Sequence, residues 1–97
     1  MASVNVSGIV PGAASEIHDE PHIDGSRITV LYVQRQVEER GVDAVVFADR
    51  HGLDVADVYA ALTYYHANPD EMDTVADRRA ELASEADERT TLRPPDE

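Results

Sequence analysis

The chain has 97 residues, 42% of them hydrophobic, and sets twenty acidic residues against eight basic ones, all arginine, for a formal net charge of -12. That length fits one small domain with room for about ten to fifteen buried apolar side chains, so its stability is marginal without a partner or a second copy. Cysteine is absent, which excludes a disulfide framework, a thiolate metal site and a cysteine nucleophile.

Residues 1–15 read as a partly ordered arm. Val4, Val6, Ile9 and Val10 sit among small residues, and Ser7-Gly8 and Pro11-Gly12 interrupt any long strand. A hairpin and a three-helix core are expected over residues 16–68. In Pro21-His22-Ile23-Asp24-Gly25-Ser26-Arg27-Ile28 the Asp-Gly pair predicts a tight two-residue turn, with Ile23 and Ile28 anchoring its sides. Helix one is predicted from Val30 to Arg40, with Thr29 as its N-cap and Val30, Val33 and Val37 as a stripe at helical spacing. Gly41 ends it. Asp43 then caps a second helix, residues 44–50, that offers Val45, Val46 and Phe47 to the core.

His51-Gly52-Leu53-Asp54 reads as a tight corner. Gly52 takes the left-handed conformation that ends one helix, and Asp54 accepts the free amides that begin the next. Helix three is predicted over residues 55–67, burying Val55, Val58, Leu62 and Tyr65 and turning Asp57, Tyr59, Ala60, Thr63 and Tyr64 outward. Asn68-Pro69-Asp70-Glu71 has the form of a capping box, and opens an extra C-terminal helix over residues 69–88. Its stripe of Met72, Val75, Ala76, Arg79, Leu82, Ala83 and Ala86 is weakly apolar. Residues 89–97, with Pro94-Pro95, are expected to be a disordered tail. The reading is therefore mostly α: a short β-hairpin arm, a helix–turn–helix core and one more helix.

Function is harder to extract. His18 and His22 have the spacing of a chelating pair, but Pro21 between them argues for extended backbone, and no metal is expected. His51 and His66 stand at helix ends, where an imidazolium suits the dipole. The glycines are isolated turn residues, so there is no phosphate loop, and no cofactor or catalysis is predicted. No apolar run approaches the roughly 20 residues of a membrane span. The first six residues lack the basic flank of a secretory signal, which gives a cytoplasmic expectation. Many carboxylates with no lysine suit a halophilic surface, kept hydrated in salt that screens their repulsion within about 3 Å at 1 M.

A helix–turn–helix invites DNA, with helix three toward the bases and arginines on the phosphates. Arg27, Arg50, Tyr59 and Thr63 are the candidates for that role, with Arg35 and Arg40 as further phosphate contacts; Asp54 and Asp57 oppose it. A packed corner with no ligand is the plainer alternative. Tyr59, Tyr64 and Tyr65 equally suit a protein interface.

The stretch from Pro21 to Val30 resembles the small prokaryotic domains grouped as domain-of-unknown-function family 433, whose arm reads Pro-x-Ile-x-Gly-Thr-Arg-Ile-x-Val. The likeness continues through Gly41, the His51-Gly52-Leu53-Asp54 corner and the run Val58 to Tyr65, covering roughly residues 15–72. Ser26 replaces the family's threonine and keeps the hydroxyl. What the resemblance implies is a homeodomain-like, three-helix core in an antitoxin-like protein that neutralises a small nuclease-like toxin of the PIN type, possible homodimerisation, and weak operator binding. By that analogy the C-terminal helix would hold the partner through Met72, Val75, Arg79 and Leu82. A stand-alone transcriptional regulator and a structural adaptor are the alternatives.

Overall fold

The computed structural model describes residues 4–15 and 20–92, with side chains up to Glu85. It is mostly helical. Two short antiparallel strands, β1 (Ile9–Val10) and β2 (His22–Ile23), precede α1 (Val30–Gln34), α2 (Ala44–His51), α3 (Val55–Ala67) and α4 (Pro69–Leu92). α3 is the central element. It packs against α1 and α2, receives the strands at its side, and α4 closes on α1 and α3.

The turn at Asp24-Gly25 forms, and the segment after it folds back antiparallel on β2, with His22 bridged to Thr29, while β2 also pairs with β1 of the arm. Ile23 pairs with Ile9 and His22 with Val10. The chain does reverse, since Ser26 N–H donates to the Ile23 carbonyl at 3.1 Å and Ile23 N–H to the Ile28 carbonyl at 2.9 Å. Gly25 supplies the positive φ of 80° that this turn needs. The Ser26 hydroxyl donates to the Ile23 carbonyl at 2.9 Å and accepts from Ile28 N–H at 3.1 Å, so it holds both sides of the turn. Helix one begins immediately afterwards, so the returning side of the hairpin is short, and β1 of the arm adds a further strand to β2.

Thr29 caps α1 through its side chain, which accepts from Tyr32 N–H at 3.2 Å. The helix then widens into a π-turn, Arg35–Glu39. α2 begins at Asp43, whose carboxylate accepts from Val45 and Val46 N–H at 2.8 and 3.2 Å, and stops at left-handed Gly52. Only Phe47 and Ala48 of α2 are buried, whereas Val45 and Val46 are 62% and 43% exposed, against expectation. A helix this short can press one edge on α3, and Phe47 takes it.

α3 has the predicted ends but a rotated face. Val58, Ala61 and Tyr64 are its buried residues, Val55, Leu62 and Tyr65 being half-buried. Tyr64, expected outward, is fully enclosed because its hydroxyl has a partner: it donates to Glu71 Oε1 of α4 at 2.6 Å. Glu71 therefore serves α3. Asn68, read as a helix cap, clasps the backbone of Val4: its Oδ1 accepts from Val4 N–H at 2.7 Å and its Nδ2 donates to Val4 O at 2.9 Å.

α4 runs four residues past its predicted end at Glu88, to Leu92, taking in the first part of the stretch read as a disordered tail; residues 93–97 lie outside the described residues. Met72 and Val75 are buried at 2% and 3% exposure and join the core. No helix among the described residues is long and apolar enough to cross a membrane.

Candidate functional site

Two adjoining concavities meet at Arg79. The first, about 330 Å³, is lined by Arg27, Ile28 and Thr29 from the turn, Tyr32 from α1, His51 from α2 and Arg79 from α4. The second, about 480 Å³, lies along α4 and is lined by Glu20, Arg78, Arg79, Leu82 and Ala83.

The turn explains why Arg27 belongs to a site. Pro21 and Ile23 are buried, and Pro21 O accepts from Val30 N–H at 2.9 Å. Gly25 bends the chain, Ser26 ties the bend, Ile28 packs on the core and Val30 is fully buried. Arg27 has no such duty. Its side chain is exposed and makes no ion pair or hydrogen bond among the described residues.

Arg79 is held in place. Its Nε donates to Glu20 Oε2 at 2.8 Å and its Nη2 to Glu20 Oε1 at 3.2 Å, a fork-on-fork pair. The Glu20 side chain is 6% exposed and the Arg79 side chain 45%, so the carboxylate is the buried member and the guanidinium faces water. Glu20 and Arg79 are 59 residues apart and carry no local signal of each other. Neither was read as a pair from the sequence.

The aromatic wall of the first cleft is built from α1 and α2. Phe47 and His51 rings stand 4.3 Å apart, and Tyr32 meets His51 edge-on at 5.9 Å and Phe47 at 5.8 Å. His51 thus packs as a ring as well as ending a helix. His66 instead pairs with Glu38 at 2.9 Å, tying α3 to the π-turn. His22 Nδ1 contacts Ser15 Oγ at 2.8 Å, and His18 lies outside the described residues. No cluster of three or more metal-ligating side chains occurs among the described residues.

The residues expected to bind a partner divide. Met72 and Val75 are buried in the chain's own core, at variance with the expectation that they hold the partner. Arg79 and Leu82 line the α4 groove, Leu82 being 55% exposed. The residues expected to meet DNA are all exposed and come from three different segments. Arg27 is in the first cleft, Arg50 in the last turn of α2, and Tyr59 and Thr63 one turn apart on α3. Asp57 near them accepts from Asp54 N–H at 3.2 Å.

Comparison with family models, with curated proteins and with solved structures finds no match to this chain, so the likeness over residues 15–72 stays a resemblance.

Proposed function

We propose that the protein is an antitoxin-like binding module that holds a partner protein against the outer half of α4. One observation carries this reading: from Ala80 to Glu85 every side chain of a 24-residue helix is exposed. A helix gains most of its stability from packing an amphipathic face, and this stretch has every side chain exposed. A partner that covered Leu82 and Ala83 would supply the missing burial, in the manner of a helix laid into a groove. Arg79 at the same groove keeps Nη1 donor capacity for a charge-assisted contact with a partner.

The nuclease-like nature of the partner rests on the family resemblance alone, and a fold does not by itself assign a function. The test is co-purification of the tagged chain from its native cytosol, at the salt of that cytosol. A stoichiometric small protein that is lost on Leu82→Asp, with the circular dichroism spectrum unchanged, is the expected result. Recovery of the chain alone would overturn it.

A regulator of transcription is the second reading, favoured by the exposure of Arg27, Arg50, Tyr59 and Thr63. It expects duplex affinity that falls steeply with salt as phosphate counterions are released. No duplex binding by the folded protein in dilute salt would remove it.

A further inference from the structure

We infer that the cleft between the turn and the aromatic wall is a binding site for a small aromatic molecule carrying a phosphate or carboxylate group. The inference goes beyond the binding-module reading and does not depend on it.

Charge is the first argument. In a chain with twenty carboxylates and eight arginines, none of the residues lining this cleft is acidic, and two of the six are arginines. Glu20 neutralises Arg79 from behind, so the net positive charge facing the cleft comes from Arg27. Arg79 contributes geometry. With Nε and Nη2 committed to Glu20, its plane is fixed, and its Nη1 keeps donor capacity for a second acceptor. One unpaired guanidinium and one fixed guanidinium lining the same cleft make a workable oxyanion clamp.

Size and lining are the second. The cavity, about 330 Å³, is at the lower end of small-molecule sites and is far larger than an oxyanion alone requires. The remaining space is bounded by Ile28, Tyr32 and His51. Tyr32 is 41% exposed and its ring is braced by Phe47 and His51, so a planar ring entering the cleft meets a pre-set aromatic edge. The local structure at the turn supplies the third argument. Pro21, Ile23, Gly25, Ser26, Ile28 and Val30 each have a structural task there, and Arg27 is left over on the cleft side.

The experiment titrates the full chain with phenyl phosphate, benzoate, inorganic phosphate and phenol, following Tyr32 and His51 ring signals by NMR. About 1 M salt screens the surrounding carboxylates beyond about 3 Å. Saturable shifts with phenyl phosphate or benzoate are expected, at least tenfold weaker binding with inorganic phosphate, and none with phenol. Arg27→Gln should weaken the aromatic anion at least tenfold. Tyr32→Leu should bring its affinity down to that of inorganic phosphate. Absence of saturable binding by both aromatic anions, or equal binding by Arg27→Gln, overturns the site. Repeated in dilute salt, where a duplex can bind, a short DNA duplex that displaces phenyl phosphate and moves the same signals at lower concentration would overturn the small-molecule assignment in favour of a backbone phosphate.

Discussion

The two halves of α4 belong to one helix and live in different solvents. From Pro69 to about Arg79 the helix is anchored: Met72 and Val75 enter the core, Glu71 takes the Tyr64 hydroxyl, and Arg79 grips buried Glu20. From Ala80 to Glu85 every side chain is exposed. Sequence composition barely changes across that boundary, since both halves are acidic and poor in large apolar residues. What changes is whether the i, i+3 positions find a surface opposite them. Two well-placed side chains are enough to dock a helix, and periodicity alone does not tell which turns of it are docked.

Truncations at matched positions would separate the halves most sharply. Met72→Ala should cost about 2–5 kcal/mol in denaturant unfolding, as expected for opening a cavity in a small core. Leu82→Ala should stay within about 0.5 kcal/mol, as for an exposed substitution. Equal losses at the two positions would mean that the outer half is packed in solution.

The boundary itself depends on Arg79. Arg79→Ala leaves the Glu20 carboxylate buried without its partner and should cost about 2 kcal/mol, in the range of charged hydrogen bonds. Replacing it with lysine should restore only part of that, because a point charge cannot reproduce the two-pronged contact. A smaller effect is expected from Asn68→Ala, about 1 kcal/mol, with faster amide exchange at Val4 and Ile9 as the arm loosens. Unchanged exchange there would mean that β1 alone holds the arm.

Helix ends were the most legible part of this chain. Val55 to Ala67 was readable to the residue because Gly52 and Asp54 act on the backbone locally, within a turn of the end they set. Helix faces were less so. Tyr64 and Tyr65 are neighbours of one residue type, and only the acceptor on α4 decides which is enclosed. Val45 and Val46 look like core residues by hydropathy, yet their helix is too short to bury more than the edge holding Phe47 and Ala48. In the candidate site, Arg27 stands out in the sequence only as one of several candidate phosphate contacts, and the Glu20–Arg79 pair and the Tyr32–Phe47–His51 wall do not stand out at all. Those contacts join segments far apart in sequence, where no spacing rule operates.

The clasp between Val4 and Asn68 bears on the order in which the molecule assembles. Its two ends are 64 residues apart, so closing it costs the entropy of a long loop unless the helices have already drawn those ends together. During synthesis the arm leaves the ribosome well before Asn68 does. Val4 must therefore wait for Asn68 through the making of all three core helices, whereas Ile9 and Val10 behind it meet their partners Ile23 and His22 before any of those helices is made. The segment at Val4 is thus set in place only after the helices that follow it.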